Sequence, residues 1–122
     1  MRLATGVDLI EIERVEKAIE RHGQRFLSRI FTLVELEECG GKLDSLAARF
    51  AAKEAVAKAL ATGIGRVSWQ EIEIEHGPAN EPVLRLAGMA AQLADEMGLD
   101  AWSISLSHTS THALAMVVAT GN

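Results

Sequence analysis

Apolar and polar positions alternate with two different periods along the 122 residues of the chain. Recurrence every three to four residues predicts helices over 11–22, a short segment from 32, a long central segment, and 86–97. Alternation every second residue, or a short apolar run, predicts strands over 3–10, 71–75, 83–86, 101–107 and 113–119. This mixture favours an α+β fold in which an antiparallel sheet packs against the long central helix.

The central helix has the sequence RFAAKEAVAKAL, followed by a glycine-containing turn, TGIG. Alanine, glutamate and lysine are strong helix formers. Ser45 is the predicted N-cap, and Gly63 is the predicted stop, where a left-handed residue commonly ends a helix.

One side of this helix combines charges with an aromatic ring. Phe50, Glu54 and Lys58 follow one another at steps of four residues, and Arg49 and Lys53 flank the same side. A solvent-exposed Glu–Lys pair, with no function, is one explanation. The alternative is a site for a metal-bound phosphate, with Glu54 on the metal, Lys58 on a phosphate oxygen, and the other two cations on further phosphates.

Asp8 interrupts the apolar strand 3–10. A carboxylate in such a strand is paired, bound to a metal or turned to solvent, and the segment itself leaves all three open.

Basic residues recur along 14–29, although the chain carries a formal net charge of −5. A solvated charged face explains them without a function, whereas a docking surface for an acidic partner is the functional alternative. The negative net charge argues against nucleic-acid binding. The residues of this basic surface are Arg14, Lys17, Arg21, Arg25 and Arg29.

Residues 1–122 are expected to form a single domain. Cys39 is the only cysteine, which excludes a disulfide framework and favours a reducing, cytoplasmic location. No signal peptide and no membrane-spanning run is expected. His108 and His112 lie in the turn SHTSTH, where a zinc site is disfavoured, but where hydroxyl groups and a histidine could hold a phosphate.

Four motifs occur in order: GVDLIEIERV, FT-x-x-E, RFAAKEAVAKAL–TGIG, and SLSHT-x-x-HALAMVVA. With these motifs the chain resembles the holo-[acyl-carrier-protein] synthases, the short bacterial class of 4′-phosphopantetheinyl transferases. The resemblance implies Mg²⁺-dependent transfer of the 4′-phosphopantetheine arm from coenzyme A to a serine of apo-acyl carrier protein. The second product would be adenosine 3′,5′-bisphosphate, and the reaction would support fatty acid biosynthesis. The resemblance also implies a homotrimer whose sites lie between subunits.

By matching motif position, the resemblance also assigns roles to residues. Asp8 and Glu54 correspond to the magnesium ligands, and Lys58 to the lysine at the reacting phosphate. The basic surface 14–29 corresponds to the docking site for the carrier protein. The positions implied to contact the cofactor are Arg49, Phe50, Lys53, Gly63 and, across a subunit boundary, Ser107, His108 and Thr109.

Two positions depart from the family pattern. Ala61 stands where many relatives have a second glycine, which affects the expected shape of the turn. Ile10 stands where longer members of the superfamily have a third acid, so water is expected to complete the magnesium shell. The base that deprotonates the serine could be Asp8 or a metal-bound water.

The central helix and the carboxylates alone would also fit three other functions. These are a Mg²⁺-dependent nucleotide hydrolase, a non-catalytic module that binds coenzyme A or a nucleotide, and a structural trimeric subunit in which Glu54 and Lys58 form an interface ion pair. The four ordered motifs favour the transferase over all three.

Overall fold

The computed structural model describes all 122 residues and contains five α-helices, five strands and one short 3₁₀ helix. The predicted α+β class is confirmed. In chain order the elements are β1 (Arg2–Glu11), α1 (Ile12–His22), α2 (Gln24–Ile30), α3 (Leu33–Cys39), α4 (Leu43–Ala59), the 3₁₀ helix (Trp69–Glu71), β2 (Ile72–His76), β3 (Pro82–Leu86), α5 (Gly88–Glu96), β4 (Ala101–His108) and β5 (His112–Gly121).

The strands form two antiparallel sheets. The larger one has the order β1-β5-β4, so the first and last strands of the chain are neighbours, and β4 and β5 form the predicted hairpin. Asp8 pairs with Ala115, which in turn pairs with Leu106. The smaller sheet is the β2–β3 hairpin.

Helix α4 packs across one face of the larger sheet and is buried along most of its length, with 11 of its 17 residues buried. Its alanines allow β1 to approach closely. At Gly6 the approach is extreme, because a Cβ atom there would lie 1.8 Å from the carbonyl oxygen of Ala55. A glycine in a strand marks such a close backbone approach.

The start of α4 differs from the prediction. The helix begins at Leu43, and Ser45 is not its N-cap but lies inside the first turn. The backbone N–H of Ser45 donates to Oδ1 of Asp44, at 2.7 Å.

The end of α4 also differs from the prediction, because the helix stops at Ala59 rather than near Gly63. The left-handed residue is Ala61, with φ of 57°. Its N–H donates to the carbonyl oxygen of Lys58, and the N–H of the next residue, Thr62, donates to that of Ala57. These two hydrogen bonds define a Schellman motif in which alanine takes the usual place of glycine.

The face of the larger sheet that points away from α4 is apolar and exposed. Its exposed large side chains are Leu3, Val7, Leu9, Leu114 and Met116. Contiguous apolar surface of this kind commonly marks an interaction site. None of the helices combines the length and the apolar character that a membrane crossing requires.

Candidate active site

Asp8 lies on the face of β1 that packs on α4, because its neighbours Gly6 and Ile10 at alternate positions are both buried. Across from it, near the C-terminal end of α4, Nζ of Lys58 lies 3.2 Å from Oδ1 of Asp8. The same ammonium donates to the carbonyl oxygen of Val7, at 2.8 Å. Residues 50 positions apart in the chain therefore meet at one place.

Glu54 shares this place, one helical turn before Lys58. Burial raises the pKa of the Glu54 carboxyl, and the negative charge of Asp8 raises it further. The positive charges of Lys58 and Arg14 oppose that rise. Two carboxylates on separate elements are thus close enough to repel each other, with two cations beside them.

The donor set of this site fits a hard divalent cation. Asp8 and Glu54 offer only carboxylate oxygens, and nowhere in the chain do three or more histidine, cysteine, aspartate or glutamate residues gather as a metal cluster. Mg²⁺ suits such a set, since it is commonly held by one or two carboxylates plus waters and substrate phosphates. A cation between the two carboxylates would also remove the repulsion that raises the pKa of Glu54.

Arg49 and Lys53, predicted to bind phosphate, are instead buried and occupied by other partners. Arg49 donates to the carbonyl oxygen of Ile74 and pairs with Glu38 at 2.8 Å. Lys53 pairs with the fully buried Glu35, also at 2.8 Å. The predicted phosphate contacts of Arg49 and Lys53 stay a prediction; in this structure both side chains make their contacts on the β2 side of α4.

Phe50, also predicted to contact the nucleotide, belongs to an aromatic cluster. Its ring lies 4.8 Å from that of Trp69 and 6.3 Å from that of Phe26, centroid to centroid. These three rings line a pocket of about 400 Å³ whose other lining residues include Arg25 and Arg29. Phe50 thus lies beside the predicted docking surface.

The charges of the basic surface are largely unpaired in the structure. Lys17 pairs with Glu13 at 3.1 Å in an exposed i,i+4 contact, but the four arginines form no ion pair. Arg14 additionally acts on Glu54, so this surface extends from the aromatic pocket to the carboxylates. The four arginines are Arg14, Arg21, Arg25 and Arg29.

The segment Ser107–Thr109 lies elsewhere in the protomer. It ends β4, which is separated from β1 by β5, so two strand spacings or roughly 10 Å lie between them. Nε2 of His108 lies 3.6 Å from Oδ2 of Asp44, at the opposite end of α4 from Lys58. Within one protomer, the structure does not bring this segment to the carboxylates.

The side chain of Thr109 shapes the β4–β5 turn, since its Oγ1 accepts hydrogen bonds from the backbone N–H groups of Thr111 and His112. Gly63 lies in the bend after α4, and no atom lies within 4 Å of the position a Cβ would take. That open space allows a ligand to approach the backbone.

The sequence interpretation missed Gly6, which builds the site, and one contact of Glu35 on the other side of α4. Gly6 sets the distance between β1 and α4, and its signal was a glycine inside an apolar strand. Glu35 was explained fully by its capping box, which the structure confirms, but the same carboxylate also pairs with Lys53. Nothing in the local pattern around residue 35 indicates this second contact.

The chain from residue 4 to residue 117 matches the family described as the 4′-phosphopantetheinyl transferase superfamily. The chain belongs to this superfamily. A curated holo-[acyl-carrier-protein] synthase from Herpetosiphon aurantiacus is 50% identical to it over 126 residues, covering 98% of this chain and 99% of that protein. Another from Dehalococcoides mccartyi is 50% identical over 117 residues, covering 96% and 98%.

Solved structures agree with these relatives. The crystal structure of the Helicobacter pylori holo-[acyl-carrier-protein] synthase in complex with coenzyme A matches with a TM-score of 0.87 and 36% identity, covering 95% of this chain and 99% of the other. The enzyme from Neisseria meningitidis matches with a TM-score of 0.87 and 38% identity, covering 96% and 97%. The predicted resemblance is confirmed, and the chain is an enzyme of the holo-[acyl-carrier-protein] synthase type.

Proposed function

We propose that this enzyme transfers the 4′-phosphopantetheine arm from coenzyme A to a serine of an apo-acyl carrier protein, with Mg²⁺, and so supports fatty acid biosynthesis. The observation that carries the proposal is the meeting of Asp8, Glu54 and Lys58 between β1 and α4 in a chain of this family. The complex of the Helicobacter pylori relative with coenzyme A supports the donor.

Breaking a pyrophosphate leaves charge on both the transferred phosphoryl group and the leaving phosphate, so catalysis consists mainly of positioning and charge neutralisation. Asp8 and Glu54 would hold Mg²⁺, which supplies that neutralisation when bound. Lys58 would donate to a phosphate oxygen, and the half-exposed side chain with its ammonium beside Asp8 supports this role. Gly63 and the Ser107–Thr109 segment would contact the cofactor, the latter from a neighbouring subunit.

The first experiment incubates the protein with coenzyme A, Mg²⁺ and an apo carrier protein, and measures the mass of the carrier. We expect a mass gain equal to the attached arm, and none when the metal is chelated. Glu54→Ala should abolish the gain without unfolding the protein. Glu37→Ala removes an exposed carboxylate and serves as the matched control. Transfer at the native rate by Glu54→Ala would reject the assignment of the metal site.

The basic surface and the aromatic pocket support an acidic acceptor with an apolar side chain that enters the pocket. Arg25, which lines the pocket, is the residue to test. The charge of Arg14 also affects the carboxyl of Glu54, so a change at Arg14 could alter docking and catalysis together. Arg25→Glu should raise the KM for carrier protein and leave the KM for coenzyme A unchanged. Arg85→Glu reverses an exposed charge on the β2–β3 hairpin as the control. Equal effects on both substrates would reject the docking surface.

A homotrimer is part of the proposal, and the exposed apolar face of the sheet supports it. Met116→Glu would place a charge in the middle of that face, so sedimentation should show a smaller species if the face is an interface. A trimer that persists in this variant would exclude the face as the contact. The single buried thiol of Cys39 supports action in a reducing cytoplasm, and residues 1–122 are proposed to act as one domain.

A further inference from the structure

Strand β2 is hydrogen-bonded to a neighbouring strand, β3, along one edge only, and its other edge faces α3 and α4. An unpaired strand edge inside a protein leaves backbone N–H and C=O groups that need partners. Charged side chains supply them here. The carbonyl oxygen of Ile72 accepts from Lys53, the N–H of Ile74 donates to Glu35, and the carbonyl oxygen of Ile74 accepts from Arg49.

The far end of this edge is closed in the same way, because the N–H of His76 donates to Oε1 of Glu38. Four side chains from two helices therefore occupy the positions that a neighbouring strand would otherwise fill. We call these four residues the side-chain ladder: Glu35, Glu38, Arg49 and Lys53.

Lys53 is the member of the side-chain ladder that also contacts the 3₁₀ helix. Its fully buried ammonium has three donors, and the three acceptors are Glu35 at 2.8 Å, the carbonyl oxygen of Ile72 at 2.5 Å and that of Trp69 at 2.9 Å. The carboxylate of Glu35 in turn accepts from the N–H of Thr32, which opens α3. One buried ion pair thus joins α3, α4, β2 and the 3₁₀ helix.

The contact with Trp69 connects the ladder to the aromatic pocket. The indole ring lies against Phe50 and lines the pocket beside Arg25 and Arg29. On its other side, the 3₁₀ helix is tied to α2 by the side chain of Gln70, which donates to the carbonyl oxygens of Ser28 and Phe31. The hydrogen bond from Lys53 to the carbonyl oxygen of Trp69 fixes the backbone of that residue, and with it the position of the indole ring.

We infer that the Glu35–Lys53 ion pair is a positioning device that holds Trp69 and so sets the shape of the pocket for the acceptor protein. Lys53 touches neither the carboxylates at Asp8 and Glu54 nor the proposed phosphate site. The inference rests on the proposed function only where it names the acceptor. It replaces the predicted phosphate contact of Lys53 with a role in acceptor binding.

The test uses the double variant E35Q/K53M, because Lys53→Met alone would leave a buried, unpaired carboxylate that is strongly destabilising. The double variant removes both charges and keeps similar volumes, a change that is often neutral for stability. It leaves the carbonyl oxygens of Trp69 and Ile72 without the lysine donor. A Trp102→Phe background makes Trp69 the only tryptophan, so its fluorescence reports its surroundings.

The matched control is Glu38→Gln, which weakens the ladder at the His76 end of β2, away from Trp69. We expect E35Q/K53M to shift Trp69 emission to longer wavelength and to raise its quenching by acrylamide. We also expect the KM for carrier protein to rise about tenfold, as for the loss of an ordered aromatic anchor. The kcat and the KM for coenzyme A should be unchanged, and Glu38→Gln should change neither Trp69 emission nor any KM.

Native Trp69 emission together with a native KM for carrier protein in E35Q/K53M would overturn the inference. Equal falls of kcat and of kcat/KM for both substrates in E35Q/K53M and in Glu38→Gln would also overturn the inference, because a general loosening of the fold lowers these quantities together. If the native protein transfers no arm at all, the proposed function fails separately. In that case the emission of Trp69 still tests whether Lys53 positions this residue. A native spectrum in the double variant would refute the positioning role, and a shifted spectrum would support it.

Discussion

Replacing Gly6 with alanine should push β1 away from α4 and disable the site between them. The added Cβ would lie 1.8 Å from the carbonyl oxygen of Ala55, whereas ordinary contact begins at 3.4 Å, so the elements would have to separate by about 1.6 Å. The neighbouring contact of Lys58 with Asp8, now 3.2 Å, would then exceed hydrogen-bond range. Glu54 is adjacent to Ala55 and would move with it.

The expected energetic effect is that of overpacking a buried interface, about 1–3 kcal/mol of destabilisation or more. For a domain of this size, that corresponds to a fall of about 4–12 °C in Tm. Urea denaturation followed by circular dichroism measures the loss of stability. The rise in Tm on adding Mg²⁺ measures the site, and we expect that rise in the native protein but not in Gly6→Ala.

Gly63→Ala is the stability control for this experiment, because it adds the same methyl group where nothing lies within 4 Å and φ is not left-handed. Its stability should stay close to native or increase slightly. A Gly6→Ala variant with native stability and a native response to Mg²⁺ would refute the argument that close approach of β1 builds the site.

Three further outcomes follow from single residues. Burial and Asp8 raise the pKa of Glu54, so its charge destabilises the metal-free protein at neutral pH; Glu54→Gln should raise Tm near pH 7, and the gain should vanish as the pH falls below the ordinary glutamate pKa. An equal gain at all pH values would contradict this. Ala61→Gly relieves a left-handed alanine and should stabilise the protein by up to about 1 kcal/mol in urea denaturation; a destabilised variant would show that the Schellman turn is unstrained. Burial raises the pKa of the Cys39 thiol, so iodoacetamide should label it only after denaturation, and rapid labelling of the folded protein would show that the thiol is accessible.

Local patterns were sufficient to predict most of the elements and to single out the two carboxylates, whereas only the resemblance to the family implied that they act together. Hydrophobic periodicity depends on residues close in the chain, and it located the five strands and four of the five α-helices to within a few residues, but not α2 as a separate helix and not the ends of α4. Asp8 was noticed because a charge in an apolar strand needs a reason, and Glu54 because it shares a helix side with Lys58.

The contacts of the Arg49 and Lys53 side chains could not be predicted in the same way. Helical spacing shows that the two side chains share a side of α4, but not which part of the chain packs against that side. Their partners are backbone groups of β2 and carboxylates of α3, which are brought there only by the tertiary fold. The order of the strands was likewise out of reach, since β1 pairs with β5 across nearly the whole chain.

Helix α4 is enclosed by different parts of the molecule on opposite sides, with β1 and the carboxylates on one and β2 with the ladder on the other. Its interior positions are mostly alanine, so no side chain there can shrink to absorb a change. A single enlargement such as Ala52→Val, at a fully buried position, would push α4 away from the element that the new methyl groups meet and toward the elements on its opposite side. Genetic suppressors of such a change should arise in both neighbouring regions rather than around the altered residue alone.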